Sequence, residues 1–301
     1  MFRGLRRRTA TAFRVLREKE VLPLLDRVLL AIRSRVYIWG GRSYGLREAL
    51  LFPDGFQIDL WTRYAGVARA LEENLPEPPG RWRVMEIGSG GEGLAGFLRD
   101  SRIWNRIDLV VVDRDMQFIG SVRRARAVGV DCTSLPFADG SFDCVLAVDI
   151  LEHLPTAVRQ RAAAEIRPLA RRLIICHCPS EGPDDQFRGA WADREYEKRF
   201  RARFGKQPPG WVGEHIAAGH PSPRELHELF PGSTLSGDQN CDVWLRYAIA
   251  GEPGAAGFSR LLTGLRYAAS WASQDGKSPF RSTLPVCRVS APETPQRGRP
   301  D

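Results

Sequence analysis

From Val84 to Leu98 the chain reads VMEIGSGGEGLAGFL, an apolar run that turns through glycines into a second run with helical spacing. Gly88, Gly90 and Gly93 stand at the spacing of a nucleotide cradle, with Ser89 between the first two. Residues without a β-carbon let the backbone turn tightly and touch a ligand, and a helix start behind them offers free N–H groups. Asp113 closes the next apolar run, Leu109 to Val112, and Arg114 follows it. A carboxylate there can accept hydrogen bonds from both ribose hydroxyls of an adenosine. The spacing alone fits a dinucleotide as well as any other adenosine-containing cofactor.

Glu86, two residues before Gly88, separates the two readings. A pyrophosphate beside this carboxylate would be repelled, whereas S-adenosylmethionine has no phosphate and presents an ammonium and a sulfonium. The expected cofactor is therefore S-adenosylmethionine rather than NAD.

Residues 130–155 read VDCTSLPFADGSFDCVLAVDILEHLP. An acid at 131, Leu135-Pro-Phe137, an acid–glycine turn, Ser141-Phe-Asp143, an apolar strand and Leu151-Glu-His153 follow in order after Glu86, Gly88, Gly90 and Asp113. Over residues 80–180 this resembles a class I S-adenosylmethionine-dependent methyltransferase of the small-molecule group. The resemblance implies that Asp131 accepts from the adenine amino group and that the Cys132 amide meets the adenine ring. It also implies that Asp149 contacts the methionine part or the acceptor. Glu92 stands where many members have glycine, which leaves the contact of the third glycine open.

Asp149-Ile-Leu-Glu152-His153 is similar to the acid-x-x-Glu-His metal set of ubiquinone-pathway and small-RNA methyltransferases. Leu-Glu-His also occurs at this place without an assigned metal, so the expectation is no metal, with His153 as the catalytic residue, a general base near working pH. Trp211-Val-Gly-Glu-His215 and Gly219-His220-Pro-Ser-Pro-Arg224-Glu resemble a segment of methyltransferases from glycan and lipopolysaccharide biosynthesis. His215 and His220 would then line an acceptor pocket, while Ser222 capping a proline-bounded helix is the simpler reading.

These residues need a sheet to position them. Strands are expected near 82–87, 108–113, 126–130, 143–148, 172–178 and 233–239, with a last one within 280–290. Helices are expected over 11–38, 57–76, 93–99, 116–124, 156–169, 222–230 and 241–272. The alternation gives an α/β, Rossmann-like doubly wound sheet of seven strands, mostly parallel with one antiparallel, plus N-terminal helices and helical insertions. The division is an N-terminal helical region at 1–79, a methyltransferase domain at 80–290 and a disordered tail at 291–301. Within the domain, 180–221 is an acceptor-side insertion and 241–272 a helical one.

The 301 residues are 43% hydrophobic and 27% charged, ordinary values for a chain that buries a core. Six cysteines lack paired metal spacing, and Cys176 and Cys178 would share one strand face as small buried side chains. No run approaches the roughly 20 apolar residues of a membrane span, so a cytoplasmic protein is expected. The formal charge of +8 is concentrated at the start, where six arginines and Lys19 face Glu18 within residues 1–19, a segment suited to peripheral contact with the inner membrane face.

No base-stacking basic stripe or base-recognition motif is present, so a small-molecule or glycan acceptor is expected and nucleic acid is not. A scaffold that binds the cofactor without transfer, and a nucleic-acid or protein methyltransferase, are the alternatives. Asp113→Ala should weaken S-adenosylmethionine binding by about 1 kcal/mol or more, the loss of a charge-assisted hydrogen bond. Calorimetric titration with S-adenosylmethionine and NAD checks both points, and an unchanged affinity removes Asp113 from the ribose.

Overall fold

The structure, a computed structural model, describes residues 55–74, 80–88, 93–98, 103–115, 125–249 and 277–289. The expected helices at 11–38 and 116–124, the basic start, and most of the expected 241–272 helix lie outside them, as does the tail from 291.

Seven strands form one sheet in the order β3-β2-β1-β4-β5-β7-β6. They are β1 (Trp82–Ile87), β2 (Ile107–Asp113), β3 (Arg126–Gly129), β4 (Phe142–Val148), β5 (Ala170–Pro179), β6 (Thr234–Asn240) and β7 (Phe280–Arg288). Neighbours from β3 to β5 pair in parallel, and β7 runs antiparallel to both β5 and β6. The expected seven-stranded sheet with one reversed strand is the sheet observed, each strand within about three residues of its expected bounds.

The described helices are α1 (Gly55–Asn74), α2 (Gly93–Leu98), α3 (Thr156–Leu169), α4 (Gly189–Phe204), α5 (Gly210–Ala218), α6 (Pro223–Leu229) and α7 (Cys241–Ala248). Residues 180–221, expected as an acceptor-side insertion, contain two of them, α4 and α5. Ala192, Tyr196 and Phe200 recur at helical spacing on one face of α4 and pack with Val212, Trp244 and Leu245 in a small core of their own.

Strand alternation explains the two main cores. β4 is buried along its whole length, as a central parallel strand covered on both faces should be. Val84 and Leu146 face α1 and α2 with Tyr64, Val67 and Leu94, while Met85, Val145 and Cys176 face α3 and α6 with Ile166 and Leu226. Each fully buried aliphatic side chain contributes about 1.5–3 kcal/mol, so both faces are needed to fix the sheet. Cys176 and Cys178 do share a face, which turns His177 to the other one. α1, placed in sequence within the N-terminal region, belongs to the same core as β1.

Two buried charges tie these layers together. Glu86 accepts hydrogen bonds from the Tyr64 hydroxyl (2.6 Å) and the Leu94 amide (3.0 and 3.1 Å), joining α1, β1 and the start of α2. Burial pushes its carboxyl from 4.5 up to about 7 against the pull of those two donors. Arg159, on the apolar stripe of α3, donates from Nε to the Leu151 carbonyl (2.8 Å) and from Nη1 to both Glu225 oxygens (3.0 Å). Its Nη2 reaches the Ala218 and Gly219 carbonyls, so one side chain holds the turn after β4, the end of α5 and the first turn of α6.

A carboxyl that binds its proton more tightly folded than unfolded loses stabilisation as pH rises between the two values. Glu86 should therefore cost the cofactor-free protein up to about 3 kcal/mol between pH 4.5 and 7, with no further change above. Urea unfolding of wild type and Glu86→Gln across that range reads the difference, and parallel curves would contradict it. Arg159→Ala leaves an acid and three carbonyls without their donor and should destabilise by on the order of 3 kcal/mol, Glu225 being partly solvated. An unfolding midpoint unchanged in urea would show that Arg159 is no clamp.

Candidate functional site

A cavity of about 580 Å³ lies over the C-terminal edge of the sheet. It sits where the chain, having laid β2 and β3 to one side of β1, returns to lay β4 on the other, the crevice where open α/β sheets bind ligands. Gly88 ends β1 there with φ at +70°, and a β-carbon would come within 2.7 Å of the Ile150 side chain. Its N–H donates to the Val112 carbonyl at 2.8 Å, which locks the end of β1 to that of β2. Ser89, Gly90 and Glu92 lie outside the described residues.

At one end of the cavity stand Asp113, Arg114, Asp131 and Cys132. Asp113 Oδ1 accepts from the Asp115 amide at 2.9 Å, and the Val130 N–H donates to the Asp113 carbonyl, joining the two acid-bearing turns. Asp131 Oδ1 accepts from the Thr133 amide (2.8 Å) and hydroxyl (2.7 Å), bonds that hold its carboxyl below the usual range and keep it an acceptor. Burial pushes the Cys132 thiol up to about 11, so a ligand would meet its backbone rather than a thiolate.

Asp149 lines the middle with a left-handed backbone (φ +48°), held by its N–H donating to the His177 carbonyl at 2.7 Å. Its Oδ1 is 2.9 Å from His177 Nδ1 and its Oδ2 is 3.1 Å from Arg63 Nε. Burial opposes ionisation here, yet Arg63 and His177 together hold the carboxyl well below its usual range. Burial likewise opposes a charged His177, but Asp149 and Asp238, the latter 3.2 Å from Nε2, hold it up to about 9. An imidazolium between two carboxylates thus lies beneath the cavity floor.

The other end carries Glu152, His153, Trp211, Glu214 and His215, with Arg281 and Trp244 behind. Glu152 is fully buried, and neither of its oxygens has a hydrogen-bond partner among the described residues. Burial and the nearby Asp149 carboxylate push it well above the usual carboxylate range. His153 Nδ1 lies 2.7 Å from Glu214 Oε2, and its Nε2 lies 3.1 Å from His215 Nε2. His215 Nδ1 lies 2.7 Å from Asp193 Oδ2, and burial lowers this imidazole to about 4 despite that partner. Asp193 also accepts from His220 Nε2 (2.9 Å) and from Arg281 Nε and Nη2 (3.2 and 3.1 Å). The Arg281 guanidinium packs 4.0 Å from the Trp244 ring centre.

Of the residues singled out in the sequence, Gly88, Asp113, Arg114, Asp131, Cys132, Asp149 and His153 line this one cavity. Glu86 does not. The two-residue period of β1 turns it to the α1 and α2 face, where it is fully buried and accepts from the Leu94 amide at the start of α2. His215 reaches the cavity, whereas His220 is spent on Asp193, and Ser222 caps α6 by accepting from the Glu225 amide at 3.0 Å.

Sequence reading passed over Asp193, Glu214, Arg63 and Arg281. Asp193 had a signal, since it falls on the apolar stripe of α4 beside Ala192 and Tyr196, where an unpaired charge would be costly. Arg281, on a strand 88 residues away, had none.

Residues 85–172, from within β1 to the start of β5, match the family described as "Methyltransferase domain". No curated protein matches the chain in sequence. Solved structures similar to it include a CurJ carbon methyltransferase (14% identity, 77% of this chain and 54% of that one, TM-score 0.41), about half of whose length the chain spans. Another is the complex of the Haloferax volcanii Trm112 methyltransferase activator with a methyltransferase (17% identity, 79% and 92%, TM-score 0.46). A third is magnesium protoporphyrin IX methyltransferase from Synechocystis PCC 6803 with bound S-adenosylhomocysteine (13% identity, 78% and 84%, TM-score 0.42). The matched stretch, residues 85–172, contains Gly88, Asp113, Asp131, Asp149 and His153 of this cavity, so a methyltransferase domain occupies that part of the chain.

Proposed function

We propose that the chain transfers the methyl group of S-adenosylmethionine to a hydroxyl oxygen of a small-molecule, glycan or lipid-linked acceptor. The observation that carries this reading is the polarity of the cavity along its length. The carboxyl groups of Asp113 and Asp131 stand at one end, and the paired imidazoles of His153 and His215 with Glu152 stand at the other. The first end suits an adenosine, with Asp113 on the ribose, Asp131 on the adenine amino group and the Cys132 amide on the ring. Gly88 leaves room for the methionine part near Asp149.

The transfer forms an O–C bond as the C–S bond breaks, and the electron pair of that bond converts the sulfonium to a neutral thioether. A hydroxyl acceptor must also give up its proton, so a polar cluster is needed where the acceptor oxygen lies. His153 is the residue that activates it. Its side chain is 26% exposed, open enough to reach a bound acceptor, and Glu214 orients the ring through Nδ1. The basic segment 1–19 would favour an acceptor carried on an anionic lipid surface, in line with the short likeness at 211–225 to enzymes of glycan and lipopolysaccharide biosynthesis.

His153→Ala should lower the release of S-adenosylhomocysteine with a panel of hydroxylated acceptors by about 10²–10⁴-fold. Its affinity for S-adenosylhomocysteine, measured by calorimetry, should stay within about twofold of wild type. Full turnover by this variant would remove His153 from the reaction, and a wild-type protein that binds NAD but neither sulfur cofactor would overturn the reading as a whole.

A further inference from the structure

Three side chains at the acceptor end, Glu152, His153 and His215, turn ligand-type atoms toward one another. Both Glu152 oxygens are buried without a partner. His153 and His215 point their Nε2 atoms at each other across 3.1 Å, and His215 Nε2 is 3.8 Å from Glu152 Oε1. Each imidazole has a carboxylate at its other nitrogen, Glu214 on His153 and Asp193 on His215, both at 2.7 Å. A neutral imidazole carries one N–H, and an acceptor at Nδ1 draws it there. Two lone pairs then face one another beside an unpartnered carboxylate, an arrangement that calls for a cation between them.

We propose that Glu152, His153 and His215 bind a divalent transition-metal ion of the Zn²⁺ type. Their ligand atoms lie within 4.8 Å of one another, a set of two imidazole nitrogens and one carboxylate oxygen of the kind such ions take. Carboxylates behind both imidazoles are the outer partners that fix the tautomer of metal-binding histidines. All three ligands line the cavity, so the remaining coordination positions open on the space in front of the cofactor end.

A second group, Asp193 with His215 and His220, is a hydrogen-bond hub instead. Arg281 and the two imidazoles already fill its carboxylate, and His215 gives it Nδ1 while keeping Nε2 for the first group. Asp149 is not a ligand, because Arg63 and His177 engage its two oxygens. The ligand set therefore differs from the acid-x-x-Glu-His pattern in the sequence, with a histidine of α5 taking the place of the first acid.

The role of the ion rests on the methyl-transfer reading. An acceptor hydroxyl bound to it loses its proton to water, and the oxygen, keeping the electron pair, forms the O–C bond as sulfur takes the pair of the C–S bond. His153 activates the acceptor by holding the ion rather than by taking the proton.

The full-length protein, stripped with chelator, is titrated without cofactor, with Zn²⁺ by calorimetry and with Co²⁺ by visible absorption. One saturable equivalent is expected, with Co²⁺ bands in the visible, and both Glu152→Gln and His153→Ala should weaken binding at least tenfold. Unchanged affinity of these variants for S-adenosylhomocysteine shows that they fold. Failure of wild type to bind one equivalent, or equal metal affinity in both variants, overturns the site. Absent metal binding with intact S-adenosylhomocysteine binding defeats the ion alone and returns His153 to the role of base. Lost cofactor binding with an intact metal titration defeats the methyltransferase reading instead.

Discussion

Asp193 has no contact with water, and three other parts of the chain converge on its two oxygens. Arg281 comes from β7, His215 from α5 and His220 from the turn before α6. An isolated buried carboxylate would cost several kcal/mol, so α4 can rest against the sheet only with all of these donors in place. Burial alone would raise its pKa, yet Arg281 first and then the two imidazoles hold Asp193 far below the usual range. The hub fixes the tautomer of His215, hence the direction of its Nε2, and the acceptor end of the cavity takes its geometry from that nitrogen. Without the hub, α4 and α5 would still have an apolar stripe to bury but no unique rotation about it.

The two ends of the cavity are built by different means. At the cofactor end, each acid sits in a turn that immediately follows a strand and is oriented by an amide two residues on, Asp115 for Asp113 and Thr133 for Asp131. Such geometry is local. The acceptor end joins residues 61 and 62 positions apart, His153 with Glu214 and His215, and depends on Arg159 to hold the turn after β4 against the end of α5. Asp149 joins the halves. Its left-handed backbone would be strained in isolation, and Arg63 on α1 and His177 on β5 hold it from opposite sides.

This division explains what the sequence made legible. Parallel central strands read as apolar runs bounded by turns, and β1, β2, β4 and β5 were found because both their faces are buried. Gly88, Asp113 and Asp131 line one cavity because each stands at or just after a strand end, a position read without reference to distant residues. The interior of 180–221 was harder. α4 carries charges on most of its surface and only a narrow stripe of Ala192, Tyr196 and Phe200, so its helical period is diluted. Glu86 shows a different limit. Its position in the motif was legible, but which face of β1 it occupied depended on the register against β2 and β4, and it lies on the α1 and α2 face.

Burial of so many ionisable groups beside one cavity has a further consequence for chemistry. Asp149, Asp193 and Asp238 are balanced by Arg63, Arg281 and His177, which leaves Glu152 as the buried acid without a hydrogen-bonding counterpart among the described residues. In a dry site a charge interacts more strongly than in water, so the position of the unbalanced group decides where a positive charge is favoured. In S-adenosylmethionine the sulfonium is the cationic centre that carries the methyl group, and its charge disappears as that group leaves. A fixed negative charge too close to it would stabilise the reactant more than the transition state. With Asp149 engaged on both oxygens, the buried acid left unpaired is Glu152, whose carboxyl is pushed by burial well above the usual range, beside His153 and His215. There a cation can displace its proton, while in the middle of the cavity Asp149 is paired with Arg63 and His177.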